Sequence, residues 1–145
     1  MKYWLDKPET EPIGRRIASD IGLGVKYDTS VILQQNFIDA IRDGSKKHTM
    51  KFHQENGKDV IRLPKYRILP LMNKTLDDRL VGELAFNYVE LLRWKEVGAK
   101  HAVEDGFKGQ WSFMRETEKL AKDRGFELVP ESYVSFYRIE DVRWI

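Results

Sequence analysis

The chain has 145 residues and a formal net charge of +2, with 33% charged and 12% aromatic residues, which is typical of one domain with a buried core. It contains no cysteine, which excludes disulfides, thiolate nucleophiles and cysteine zinc sites and fits a reducing compartment. Its apolar runs are far shorter than the roughly 20 residues that span a bilayer, and the acidic residues Asp6, Glu9 and Glu11 argue against a signal peptide, so we expect a cytoplasmic protein with no membrane partner.

We expect residues 1–28 to form an N-terminal extension that packs on the domain formed by residues 29–145. A short strand fits residues 1–5. Pro8 and Pro12 break any helix nearby, because proline lacks the amide donor and clashes with the preceding turn. We therefore expect one compact domain preceded by this extension.

A strand, a helix and a second strand are predicted between residues 30 and 52. The apolar strand covers residues 30–33, and the helix covers residues 34–43 and ends at Gly44, because glycine tolerates the left-handed conformation. The pattern then alternates along the second strand. One face carries Lys47, Thr49 and Lys51, and the other carries His48, Met50 and Phe52. This alternation predicts a positive pocket wall around the Thr49 hydroxyl, with His48 in the core or on the pocket floor.

The rest of the chain alternates strands with two late helices. Strands are predicted at residues 59–63, 66–72, 80–94 and 133–145, and helices at residues 96–104 and 110–124. A slip in the alternation of the long strand near Glu90 predicts a bulge. Trp111 is expected to pack its helix against the barrel, with stacking on a base as the alternative. This mixture predicts an α+β domain, a small closed or nearly closed β-barrel with peripheral helices.

Positive charge is concentrated in residues 41–75. This segment has nine lysines and arginines against three acidic residues, so the remainder of the chain carries a net charge of −4. Such an excess suits a phosphate-bearing or nucleotide ligand. The alternative is a solvated sheet face with scattered lysines.

Residues 44–51, with the sequence Gly-Ser-Lys-Lys-His-Thr-Met-Lys, resemble the G-x-K-x-x-T-x-R signature of ASCH domains. Residues 81–84 resemble the central strand of that family, residues 101–107 its acidic-Gly-Phe segment, and residues 133–144 its closing strand. The resemblance covers residues 30–144 and implies a PUA-like β-barrel. The chain departs from the signature at Lys51, where the family has arginine, so a charge is kept but the bidentate fork is lost.

The resemblance implies a deep pocket that accepts a nucleobase or nucleoside. Some small bacterial ASCH proteins are amidohydrolases that remove the acetyl group from 4-acetylcytidine. Position by position, their catalytic lysine, threonine and carboxylate correspond to Lys46, Thr49 and Asp105. Asp105 is one methylene shorter than the glutamate of those enzymes, and Glu104 is the neighbour that could replace it. The same comparison implies a substrate-binding role for Lys47, Lys51 and Glu104.

Amide hydrolysis needs a nucleophile, a base and an acid for the leaving amine. Thr49 could attack the carbonyl or position a water, and Lys46 could act as the base. Asp105 could orient the lysine or form a hydrogen bond with the cytosine amino group. The alternative function is a non-catalytic module that binds RNA or a modified nucleotide, or a ribonuclease. We expect no cofactor and no metal, since His53 and His101 lack partners at metal spacing. We expect a modified nucleoside or RNA as partner, and a monomer.

Overall fold

A computed structural model describes residues 2–4, 22–55 and 58–145. The strands in these residues are β1 (Lys2–Trp4), β2 (Gly24–Asp28), β3 (Val31–Leu33), β4 (His48–Phe52), β5 (Gln54–Glu55), β6 (Lys58–Pro64), β7 (Ile68–Asn73), β8 (Arg79–Arg93) and β9 (Tyr133–Trp144). The helices are α1 (Gln35–Arg42), α2 (Ala99–Glu104) and α3 (Gln110–Asp123), with two short 3-10 turns at Lys74–Leu76 and Trp94–Glu96. None of the described helices is long and apolar enough to cross a membrane.

The strands form a large curled sheet and a small one. In the large sheet the order is β3-β7-β8-β9-β4, with β1 paired to β8, and the path curls into a half-barrel. The small sheet has the order β2-β6-β5. The β2–β6 and β3–β7 pairs are parallel and the others are antiparallel. The predicted α+β class with a curled, barrel-like sheet and peripheral helices is confirmed.

Both faces of the β4–β9 pair are buried, and each face belongs to a different core. Tyr137 belongs to what we call the inter-sheet core, which includes Ile61 of the small sheet and Leu69 of the large one. Phe136, the next residue along β9, belongs to the helix-side core with Phe113 of α3. Because successive side chains of a strand alternate between faces, β9 is the wall that the two cores share.

The predicted bulge in the long strand is present but lies earlier than expected. Phe86 pairs with Ile139 and Tyr88 pairs with Arg138, so that Asn87 is an extra residue in β8. The bulge lets both Phe86 and Val89 face the inter-sheet core. The slip therefore occurs at Asn87 and not near Glu90, because apolar residues on both sides of Asn87 must be buried on one face.

Trp111 does not pack its helix against the sheet. Its side chain is 81% exposed, whereas Phe113, Thr117 and Ala121 are the buried side chains of α3. Side chains two positions apart along an α-helix are separated by about 200° around the helix axis. With Phe113 directed into the core, Trp111 consequently faces solvent, and the expectation for Trp111 is wrong.

Candidate functional site

Two chain turns that follow helices bring Lys46 and Asp105 together. Lys46 follows α1, and its backbone N–H donates to the carbonyl oxygen of Ala40 at 3.0 Å. Asp105 caps the end of α2, and Gly106 after it has a φ of +91°, which favours glycine. A β-bridge joins Lys46 to Asp105, and the N–H of Lys47 donates to the carbonyl oxygen of Glu104 at 2.6 Å. The backbones of the two segments are therefore fixed side by side.

The side chains of Lys46 and Asp105 form a buried ion pair. Lys46 Nζ lies 2.5 Å from Asp105 Oδ1, and the two side chains are 4% and 8% exposed. The ammonium group also lies over the ring of Phe37, 5.1 Å from its centroid. Burying an ion pair carries a large desolvation cost, and an apolar pair is often as stable. Stability alone therefore does not explain these two residues.

His48 extends this cluster on the helix-side face of β4. Its Nε2 lies 3.3 Å from Asp105 Oδ1, without the alignment of a hydrogen bond. Burial lowers the pKa of His48, and this outweighs the hydrogen-bonding and charge effects of Asp105, which act in the opposite direction. At neutral pH the imidazole is consequently uncharged, and it lies next to the Asp105 carboxylate of the ion pair.

Thr49 and Lys51 lie on the opposite, inter-sheet face of β4. Thr49 is buried and pairs with Tyr137 across the β4–β9 ladder, while Lys51 pairs with Ser135. In the part of the chain that the structure describes, the Thr49 side chain makes no hydrogen bond to Lys46 or Asp105. The ion pair and the hydroxyl therefore flank the same strand without direct contact.

Lys51 is a desolvated ammonium group. Burial lowers its pKa from 10.5 to about 8, with the nearby Asp28 opposing this shift and Arg62 adding to it. Asp28 is already engaged, since it pairs with Arg62 and accepts a hydrogen bond from the Tyr137 hydroxyl at 2.8 Å. The Lys51 ammonium group therefore loses its proton more readily than that of an exposed lysine, although it stays mostly charged at pH 7.

A second polar contact lies further along the same face. His53 Nε2 is 2.6 Å from Ser135 Oγ, and both residues are buried. Burial, with Arg62 contributing, lowers the pKa of His53 to about 3, so the ring is neutral at pH 7. These residues were not predicted as part of a site. The only sequence signal is a polar residue inside an apolar strand, as with Ser135 between Val134 and Phe136.

The other predicted residues have different surroundings. The Lys47 side chain is exposed. Glu104 is half-buried and forms an ion pair with Arg138. Asp105, and not Glu104, is therefore the carboxylate that reaches Lys46.

A cleft of about 210 Å³ opens on the helix-side face of the sheet, next to His48. Its walls include Glu90, His101, Glu104 and Arg138, of which only Glu104 was predicted as a site residue. Glu90 and Arg138 come from β8 and β9 and His101 from α2, so that no local motif marks them. Within the described ranges, no group of three His, Asp or Glu side chains is arranged to hold a metal ion.

Comparison with solved structures defines the class of fold. The chain is similar to the ASCH domain from Lactobacillus crispatus JV V101, with a TM-score of 0.55 and 13% identity over 93% of this chain and 89% of that chain. Protein EF3133 from Enterococcus faecalis V583, described by the family model DUF984, gives a TM-score of 0.57 and 13% identity over 92% and 88%. A point mutant of ZmASCH from Zymomonas mobilis gives a TM-score of 0.54 and 13% identity over 80% of this chain and 70% of that chain.

These likenesses show that the chain has the fold of ASCH domains, as residues 44–51 predicted. At 13% identity these similarities establish the fold but not an activity. No protein-family model matches the sequence, and no curated protein matches it.

Proposed function

We propose that this protein is an amidohydrolase that removes an acyl group from a modified cytidine such as 4-acetylcytidine. The observation that carries the proposal is the 2.5 Å contact between Lys46 Nζ and Asp105 Oδ1, two side chains 59 residues apart. By the resemblance of residues 44–51 and 101–107, both correspond to the lysine and carboxylate of ASCH amidohydrolases. The contact between the shorter aspartate and the lysine supports this correspondence.

The proposed reaction proceeds through the Thr49 hydroxyl. Lys46 first passes a proton to Asp105 within their ion pair, and the resulting amine accepts the hydroxyl proton through a bridging water as the Thr49 oxygen attacks the acyl carbon. The bond from the acyl carbon to the cytosine exocyclic nitrogen then breaks, and Lys46 returns a proton to that nitrogen. Water hydrolyses the acyl-threonine ester and releases the carboxylic acid. Asp105 holds the amine of Lys46 in place throughout.

The nucleoside would bind on the inter-sheet face of β4, because the Thr49 hydroxyl lies there. Lys51 shares this face and would donate to a cytosine carbonyl oxygen or stabilise the oxyanion that forms during attack. Lys47 is exposed and would contact only the outer part of the substrate, such as its ribose. Glu104, which pairs with Arg138, would act by fixing the end of α2. We propose that the protein acts as a cytoplasmic monomer.

The test is turnover of 4-acetylcytidine, followed by the change in ultraviolet absorbance as cytidine forms. We expect the Lys46→Ala, Thr49→Val and Asp105→Asn variants to lose at least about a hundredfold in kcat/KM, since general-base groups contribute 10²–10⁴. Lys119→Ala and Asp123→Asn, both on the exposed face of α3, are the matched controls and should keep full activity. Unchanged turnover by Thr49→Val would exclude it as the nucleophile, and no turnover by the wild-type protein would overturn the proposal.

The second candidate is a module that binds RNA or a modified nucleotide, with or without ribonuclease activity. The excess of basic residues in residues 41–75 favours it. RNA binding that weakens steeply with salt, combined with no acetylcytidine turnover, would support this candidate. RNA cleavage measured in the same samples would identify the ribonuclease.

A further inference from the structure

One wall of the cleft beside His48 is formed by β8 and α2. There His101 Nε2 contacts Glu90 Oε1 at 2.6 Å. The Gly98 N–H donates to His101 Nδ1 at 3.0 Å, so Nδ1 must be unprotonated and Nε2 carries the proton that Glu90 accepts. The His101 ring also stacks on Phe136, with centroids 5.0 Å apart and planes at 24°. This imidazole is therefore fixed in tautomer and orientation.

The carboxylates of the cleft already have cationic partners. Lys2 Nζ lies 3.4 Å from Glu90 Oε2, and burial, which alone would raise the pKa of Glu90, is outweighed by His101 and Lys2, which lower it. Glu104 pairs with Arg138 and lies 3.9 Å from Lys100. Neither acid is left to bind a cation.

Cationic groups remain for a ligand. An arginine has five N–H donors, and Glu104 can engage only part of the Arg138 guanidinium. Arg138 stands opposite His48 in the β4–β9 register, so its guanidinium lies in the cleft beside the His48 ring. With three cations, two carboxylates and two uncharged imidazoles, the cleft has a net charge of +1. It consequently favours a ligand with one negative charge.

The size of the cleft limits the ligand further. A cavity of roughly 150 Å³ holds one benzene molecule, so about 210 Å³ holds a six-membered ring with one substituent. Only part of a nucleic-acid strand or a nucleoside triphosphate would fit within that volume. The His101 ring supplies a flat surface for a ring to contact, whereas the Tyr88 ring has the Lys2 ammonium group over it, 5.5 Å from its centroid.

We propose that this cleft is a binding site for a small planar ring compound that carries one carboxylate or similar anionic group. The anion contacts the Arg138 guanidinium, and the ring lies along His101. The site is separate from the proposed reaction, because the acylated cytidine is uncharged and neither Lys46 nor Thr49 lines the cleft. It nevertheless adjoins the ion pair, since His48 contacts both the cleft and Asp105.

The experiment uses nicotinate and nicotinamide, which share a ring and differ in charge, titrated into the protein and followed by NMR. We expect saturable shifts of β9 and α2 signals with nicotinate and binding about tenfold weaker, or absent, with nicotinamide. Equal affinity for the two compounds, shifts confined to other surfaces, or no shift up to roughly 10 mM nicotinate would overturn the proposal.

Variants distinguish this site from nearby positive charge. Arg138→Gln should weaken nicotinate binding about tenfold and remove the preference over nicotinamide. Arg143→Gln is the control, because Arg143 is exposed on the same strand and outside the cleft. If Arg138→Gln does not fold, the Lys2→Gln/Lys100→Gln double variant removes two rim charges and should weaken binding as well. Equal loss in the Arg143→Gln variant, or full retention in the double variant, would contradict the proposal.

A further variant separates the two proposals. Thr49→Val lies on the opposite face of β4, so it should lose turnover while binding nicotinate like the wild type. A wild-type protein with no turnover and normal nicotinate binding would overturn the proposed reaction alone. Turnover without nicotinate binding would overturn the cleft alone.

Discussion

Lys51 shows how the surroundings of one residue determine its chemistry. The sequence places a lysine where the ASCH signature has arginine, and arginine stays charged at any accessible pH. The structure half-buries this lysine near Asp28 and Arg62, and the desolvation lowers its pKa to about 8. An ammonium group with a lowered pKa destabilises the folded protein, because the unfolded chain holds the proton more tightly.

The sign of this effect gives a prediction for Lys51→Met. Between pH 8 and 10.5 the unfolded chain keeps a proton that the folded chain has lost, so the wild type gains stability as pH rises through this window. We expect Lys51→Met to be more stable than the wild type at pH 7, by at most about 3 kcal/mol, and to lose much of this advantage at pH 10. Urea denaturation at both pH values measures it, with the exposed Lys119→Met as control. A stability difference between the two proteins that does not change with pH would contradict the lowered pKa of Lys51.

At the scale of the element, β8 depends on a glycine for close approach of its neighbour. A Cβ built on Gly82 would lie 2.4 Å from the backbone carbonyl oxygen of Arg143, in β9. Such a distance requires the β9 backbone to move, and β9 is the wall shared by the two cores. Gly82 lies in the stretch that resembles the central strand of ASCH domains, and this contact supplies a physical reason for a glycine there.

We therefore expect Gly82→Ala to destabilise the protein by about 1–3 kcal/mol or more, as overpacking does. Gly24→Ala is the matched strand control, because a Cβ at Gly24 meets nothing within 4 Å. The free energy of unfolding from urea titration checks both variants. Similar stability for the two would show that β9 adjusts without cost.

At the scale of the whole molecule, β9 connects the two cores. Leu69 lies in the inter-sheet core and Phe113 in the helix-side core, and both are fully buried. Tyr137 and Phe136 extend from the same strand into one core each. Loss of packing on either side therefore removes support from the strand that the other side needs.

This shared strand predicts one cooperative unfolding transition. Leu69→Ala should cost about 2–5 kcal/mol and Phe113→Ala about 3–5 kcal/mol. In both variants, far-ultraviolet circular dichroism and tryptophan fluorescence should report the same midpoint, although Trp94 lies in the helix-side core. Separate midpoints in Phe113→Ala would show that the helices unfold independently of the sheet.

The sequence by itself determined most of the elements, the α+β class and the ASCH signature, because periodicity and short motifs are local properties of the chain. It also indicated Lys46 and Asp105, through their positions in two short motifs. It did not predict β2 or β5, which are held in place by pairing with β6. It did not determine the position of the bulge at Asn87 or the exposure of Trp111, since each depends on which neighbours a side chain meets.

Only the tertiary structure decided which groups meet. It paired Lys46 with Asp105 instead of Glu104, and it put Thr49 and His48 on opposite faces of one strand in contact with different cores. It also assembled the cleft from β8, β9 and α2, which are distant along the chain. The physical reason is that strand register and burial are set by packing between distant segments, and local periodicity carries no information about which segments those are.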